Sequence, residues 1–344
     1  MSGRRGAAVG ATVLVASAAV LAGSLAVARV ALGRLGGGVA AHAEGGGAPA
    51  PEISSDQVLG GERVPAARLE RGGALYDRYC AICHGEGGDG MGPSAPFLWP
   101  PPRDFRAAQF KFTGAPEGEL PHDDELARVV RRGLAGTGMQ PWDLPDQELG
   151  PILDYIKTFS PPERGFRDPY RKPARAEIPP DPYRDQAARQ RARDEGERLY
   201  HAVFQCNSCH PSYVGPEALA GWGAAERPVA PLDPVPKWSA TYRSVLLPPD
   251  FLRHELRSIA TGGGARLDHD LVDLYRLVAN GMNGPMPGYG HLDPAQVWAV
   301  VHYTKWLADQ RGSEEGRALR RRLEDAWGAG GGGALRGRSP AGTR

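Results

Sequence analysis

Apolar residues recur along this chain at the spacing of helix faces. Leu69, Gly72, Gly73, Tyr76, Cys80 and Cys83 follow i, i+3, i+4 intervals and predict one helix that ends near Gly85. Behind Asp123 and Asp124, the residues Leu126, Val129 and Val130 predict a short helix stopped by Gly133. Leu149, Ile152, Ile156 and Phe159 form a further stripe, closed by Pro161-Pro162. The second half repeats this plan. Gly196-x-x-Leu199-Tyr200 matches Gly72-x-x-Leu75-Tyr76, and Leu274 stands seven residues before Gly281 as Leu126 stands seven before Gly133. Asp293 as N-cap and Pro294 at the first helical position open a last helix carrying Val297, Val300, Val301 and Tyr303. The expectation is an all-α chain made of two duplicated domains.

The segments between and around these stripes divide the chain. An uncharged run from Gly6 to Ala28, about 23 residues, lies between Arg4-Arg5 and Arg29 and is long enough to cross a bilayer as a helix. Ala26-Val27-Ala28 and Ala41-His42-Ala43 resemble cleavage sites, so residues 1–35 read as a signal peptide or a membrane anchor. Residues 36–65 read as a flexible tether, 66–160 as the first domain and 161–189 as a proline-rich, semi-stiff linker. Residues 190–310 form the second domain, and 311–344 a charged, then glycine-rich, disordered tail. The copies differ at one place. Pro248-Pro249-Asp250-Phe251 corresponds to Pro101-Pro102-Arg103-Asp104-Phe105, yet His210 to Phe251 is 41 residues where His84 to Phe105 is 21. An insertion at about 212–247 accounts for the excess; it could cover a cofactor edge, dock the domains, meet a partner or be an ordered surface loop.

Composition adds little. At 344 residues the chain can bury two cores, and its 47 glycines and 32 prolines leave long loops. A formal charge of +1 gives no sign of nucleic-acid binding.

The cysteines carry the chemistry. All four sit in two identical frames, Cys80-Ala81-Ile82-Cys83-His84 and Cys206-Asn207-Ser208-Cys209-His210. Paired thiols at this spacing reach both vinyl groups of one porphyrin and deliver the adjacent imidazole to the iron, so each frame reads as a covalent haem c attachment site. A redox dithiol or half a zinc site would explain the pairs but not the histidine after both. Two haem c groups are expected, adding about four propionate carboxylates at neutral pH.

The sixth ligand decides what each iron can do, because a thioether closes the iron and raises its potential while an empty position admits ligands. Met139 lies in Gly136-Thr137-Gly138-Met139-Gln140-Pro141-Trp142 and Met286 in Gly284-Pro285-Met286-Pro287-Gly288-Tyr289, six and five residues after the matching Gly133 and Gly281. Recurrence at equivalent places makes these two the expected axial partners of His84 and His210. Met91 is too near its frame to cross the haem, and Met282 is expected to pack behind the loop. None of His42, His122, His201, His254, His269, His291 and His302 recurs in both halves, so each is expected at the surface or in a structural role. The free ring nitrogen of each axial histidine needs an acceptor, expected near Pro93 or Pro96 in the first domain. Gly85-Glu86-Gly87-Gly88-Asp89-Gly90 fits the dinucleotide pattern G-x-G-x-x-G, but it follows a haem frame and not a strand, and reads as a turn at the porphyrin edge.

These residues resemble class I cytochrome c. The frame with Gly85, the stretch Pro102 to Phe105, Phe110-Lys111-Phe112, the Met139 loop and the helix of Tyr155-Ile156-Lys157 look like one such domain; the second copy keeps the frame, Met286 and the closing helix, lacks the arginine and carries the insertion. The resemblance covers about residues 66–160 and 190–310. It implies two tandem domains of a few helices around covalent haem c, with His and Met on the iron, and single-electron transfer without substrate chemistry. The expected partners are redox proteins of the cell envelope, including a membrane oxidoreductase complex, on the periplasmic side of the cytoplasmic membrane, with the chain anchored there or released by cleavage. A dihaem cytochrome c peroxidase, in which one haem opens to peroxide, is the alternative that the same two frames allow.

Overall fold

The computed structural model describes residues 47–242, 244–257, 267–284 and 286–330. From Pro49 onward these form one compact unit. The signal or anchor reading of residues 1–35, both cleavage sites and His42 lie outside the described residues, as does 331–344 of the expected tail. Among the described residues no helix is long and apolar enough to cross a membrane.

Among the described residues there are nine helices and two small antiparallel hairpins. The first domain has β1 (Gln57–Leu59) paired with β2 (Glu62–Val64), then α1 (Ala66–Tyr79), α2 (Ala81–His84), α3 (Asp123–Arg132) and α4 (Asp146–Lys157). The second has α5 (Gln186–Arg198) running into a π turn at Leu199–Val203, then α6 (Pro216–Gly221), β3 (Lys237–Ser239) paired with β4 (Ser244–Leu246), α7 (Leu267–Asn280), α8 (Pro294–Asp309) and α9 (Glu314–Gly330).

Each domain is built on one helix crossing, α1 on α4 and α5 on α8. Backbones approach closely there because a glycine stands at the crossing point. A Cβ on Gly72 would lie 2.1 Å from the Pro151 carbonyl oxygen, and one on Gly196 would lie 2.1 Å from that of Ala299. Next to each glycine a buried tyrosine spans from the crossing to the haem frame. Tyr76 packs on Tyr155 and Phe159 and donates its hydroxyl to the Gly85 carbonyl at 2.8 Å. Tyr200 packs on Tyr303 and donates to the Pro211 carbonyl at 3.2 Å. Gly85 and Pro211 each follow the histidine of their frame, so the crossing fixes where that histidine stands. Helix starts follow the expected polar signals: Glu125 accepts the His122 N–H, and Asp293 accepts the Ala295 N–H at 2.7 Å.

Three expectations need correction. The segment read as a tether, 36–65, holds the β1–β2 hairpin, which turns at Gly60-Gly61 and buries Leu59 and Val64 against Leu69. Three-residue strands are too short to leave an alternating signal in the sequence. The helix expected to run through both cysteines breaks at Cys80, whose φ of −120° interrupts it before the single turn α2. The tail, read as disordered from 311, forms α9 over Glu314–Gly330. It buries Leu323, donates the Trp327 indole N–H to the Val214 carbonyl, and ion-pairs Arg320 with Asp250. Its charge density concealed an amphipathic helix whose apolar face is supplied by long-range packing.

The linker is extended and tied to both domains. Gly60 N–H donates to the Phe166 carbonyl and Ala174 N–H to that of Leu120, while further on His302 meets Asp181 at 2.9 Å and the Trp298 indole donates to the Pro179 carbonyl.

Candidate haem sites

Cys80, Cys83, His84 and Met139 all line one cavity of about 520 Å³ in the first domain. Ile82, Leu126, Val130 and Ile152 are among its apolar walls. A space of this size with a few convergent polar groups is of the scale that holds a large planar cofactor. The thiols of all four frame cysteines are free. Burial pushes Cys80 and Cys206 up to about 12, so both are held as neutral thiols.

The two frame histidines have matching surroundings. The His84 ring stacks on Phe105 at 4.5 Å, and its Nδ1–H donates to the Arg103 carbonyl at 3.1 Å. The His210 ring stacks on Phe251 at 5.0 Å and donates to the Pro249 carbonyl at 3.1 Å. Arg103 and Pro249 each precede the stacked phenylalanine by two residues. A carbonyl can only accept, so Nδ1 carries the proton and Nε2 is left with its lone pair, the arrangement an iron ligand requires. Burial lowers the pKa of both, to about 4 for His84, which keeps the imidazoles neutral. The acceptor expected near Pro93 or Pro96 is therefore the Arg103 carbonyl instead. A backbone carbonyl has no residue signature, and this one lies 19 positions from His84.

The methionine loops also match. Gly133 and Gly281 both have positive φ, and a Cβ on either would come within 2.7 Å of the carbonyl oxygen of Met139 or Met286. The next residue closes each loop, Leu134 N–H onto the Met139 carbonyl at 2.9 Å and Met282 N–H onto that of Met286 at 3.2 Å. Met139 N–H also donates to Thr137 Oγ1, and Met286 packs half-buried on the second core. Met91 is 67% exposed at the rim of the first cavity.

Four other histidines are engaged elsewhere. His201 donates Nδ1–H to the Glu197 carbonyl and accepts the Tyr213 N–H on Nε2. His254 accepts the Asp250 N–H, His302 bonds to Asp181, and His122 precedes α3. His291 is exposed, and the side chain of His269 lies outside the described residues. The glycine run after the first frame is a turn: Gly88 N–H meets the Gly85 carbonyl, Gly90 N–H that of His84, and Phe105 N–H that of Gly88. A zinc site would need four protein ligands. Among the described residues no three His, Cys, Asp or Glu side chains gather to hold a metal ion.

The family model of cytochrome c oxidase, cbb3-type, subunit III matches residues 67–156 and 191–303. The chain belongs to this cytochrome c family. The two matched stretches coincide with the two helix crossings, so the cytochrome is a tandem of two cytochrome c domains. Its fold is similar to that of a chain in the Kuenenia stuttgartiensis reducing HAO-like protein complex Kustc0457/Kustc0458, at 24% identity and a TM-score of 0.53 over 69% of this chain and 96% of that one. No curated protein matches the sequence. Domains of this family bind haem c covalently and transfer electrons.

The first site of the cytochrome fits that group in a further respect. Arg103, Lys111 and Arg257 line the cavity, and among the described residues none of them pairs with a carboxylate. Burial lowers Arg103, and burial together with Arg103 and Arg257 pushes Lys111 down to about 7. Cations gathered at that cost match a ligand that brings its own anions, as the two propionates of a haem do. In the sequence Arg103 and Lys111 stand in the Pro-Arg-Asp-Phe and Phe-Lys-Phe stretches, where nothing local marks them as partners of an anion. Thr241, Tyr242 and Ser244, which the insertion of the second domain contributes to the same cavity, carry no local signal in the sequence.

Proposed function

We propose that the cytochrome carries two covalent haem c groups and passes single electrons between redox partners of the cell envelope. The supporting observation is the repeat of one set of parts in two domains: a two-thiol frame, a neutral imidazole with Nδ1 tied to a carbonyl, and a methionine loop closed onto a positive-φ glycine. In this reading Cys80 and Cys83 hold the first haem and Cys206 and Cys209 the second. His84 with Met139, and His210 with Met286, ligate the irons. Bound haem supplies a one-electron couple, and the protein sets its potential through the axial sulfur, burial and hydrogen bonds to the ligands.

Delivery of electrons would use the edge of the first cavity. Ile82, Met91, Phe97 and Trp99 are exposed, and Ile82 and Met91 line the cavity itself. An apolar rim around a cofactor edge suits transient docking of a redox protein. The uncharged run near the N-terminus would place these domains on the periplasmic side of the membrane, anchored or released.

The test is haem stoichiometry by pyridine haemochrome, with the charge-transfer absorption between methionine sulfur and iron(III) followed in Met139→Ala and Met286→Ala. Two haems per chain and loss of about half the band in each variant are expected. One haem per chain, or a resting high-spin iron with fast peroxide turnover, would overturn the reading.

A further inference from the structure

The insertion of the second domain puts one side chain between the two sites. Tyr242 is 9% exposed. The Arg103 guanidinium lies 4.0 Å and Lys111 Nζ 4.3 Å from its ring centroid. Its hydroxyl donates to the Met282 carbonyl at 2.6 Å, and its edge rests on Gly284, where a Cβ would come within 3.1 Å.

The groups that touch the Tyr242 ring and hydroxyl belong to both haem sites. Arg103 gives its carbonyl to His84, and Met282 gives its N–H to the Met286 carbonyl. A continuous series of contacts thus runs from the imidazole of the first frame through Arg103, the Tyr242 ring and hydroxyl, and Met282 to Met286. The methionine loop is also braced by Asn283, which accepts the Gly118 N–H at 2.7 Å and donates to the Phe110 carbonyl at 3.3 Å.

We propose that Tyr242 is a positioning residue shared by both haem sites, holding the histidine side of the first and the methionine loop of the second in one register, so that ligation at either is felt at the other. The proposal rests on the dihaem reading. Burial pushes the phenol up to about 12, so it stays a proton donor while either iron gains or loses its single electron, and no proton need move. Coupling of this kind is reciprocal in free energy.

A double-mutant experiment reads the coupling. Met286→Ala alters no protein charge, and its effect on the midpoint potential of the first haem is measured in the wild-type, Tyr242→Phe and Tyr242→Leu backgrounds. In the wild-type background the first haem is expected to shift by the equivalent of about a threefold change in its redox equilibrium. The shift should shrink in Tyr242→Phe, which keeps the ring between the cations and loses the bond to Met282, and vanish in Tyr242→Leu. Each tyrosine variant alone should weaken the sulfur-to-iron band of the second haem. Should Tyr242→Leu fail to fold, Tyr242→Phe still tests the hydroxyl link. An absent shift, or the same shift in every background, overturns the proposal. Fewer than two haems in the wild-type protein would sink the dihaem reading itself, and the stoichiometry detects that first.

Discussion

The two domains share a scaffold but differ in what holds it. In the first, Asp104 of the Pro-Pro-Arg-Asp-Phe stretch pairs with Arg106 two residues away, and the Met139 loop is closed by Leu134 and Thr137 from within. In the second, the matching Asp250 is 1% exposed and pairs with Arg320 from α9, while the Met286 loop rests on Tyr242, Gly118 and Phe110. At these two places the first domain is held by residues close in its own chain, whereas the second is held from the C-terminal helix α9 and from the first domain. Equivalent substitutions should therefore have unequal consequences.

The largest inequality is expected at the paired arginines. Among the described residues, Arg320→Ala leaves the buried Asp250 carboxylate with the Tyr213 hydroxyl, the Leu252 N–H and the more distant Arg253 for partners. Breaking a buried pair by removing one partner costs about 3–5 kcal/mol. Arg106→Ala, at a pair that is a third exposed, should cost roughly 1 kcal/mol or less. Urea unfolding followed through haem absorption would show the second domain melting first in Arg320→Ala; equal losses in the two variants would refute the contrast.

Acid should also single out the second domain. His201 has burial holding its pKa down at about 4, and the residue at its place in the first domain is the exposed Asp77. An unfolded histidine titrates near 6.5. Below that pH the unfolded chain takes a proton that the fold refuses, so stability is constant above about 6.5 and falls as the pH drops toward 4. The full loss is on the order of 3 kcal/mol. Replacing His201 with Gln should remove that component of the acid sensitivity of the second domain, whatever its effect at neutral pH; an unchanged pH slope would contradict it.

The contrast also shows what the sequence could reveal. The frames, both positive-φ glycines, the Asp293 cap and the duplication were legible because each is a local requirement of backbone or cofactor on a residue type. The family match over 67–156 and 191–303 falls within the two domains read from those signals. The carbonyls of Arg103 and Pro249 were illegible, since any residue supplies one. Tyr242, Arg320 and the β1–β2 hairpin were missed for a different reason: their partners lie far away in the chain, and nothing in their own neighbourhood requires them.

The smallest effect concerns charge at the first site. Lys111 stands six residues after Phe105, and Arg257 stands six after Phe251, yet both cations line the first cavity beside Arg103. Duplicated positions have converged on one cavity, and a haem bound there should have its reduced state favoured, because a nearby positive charge opposes the extra positive charge of ferric iron. A unit charge about 10 Å away in an effective dielectric of about 20 is worth roughly 1.7 kcal/mol, or about 70 mV for one electron. Lys111→Met should lower the potential of the first haem by several tens of millivolts and leave the second nearly unmoved. In the wild-type protein the same potential should fall as Lys111 loses its proton, at or above pH 7, since haem carboxylates raise its pKa from the value near 7 that burial and its cationic neighbours impose. A redox titration across pH would show that slope in the wild type and a lower, flat line in the variant. Equal shifts at both haems would mean that the cations do not distinguish the two sites.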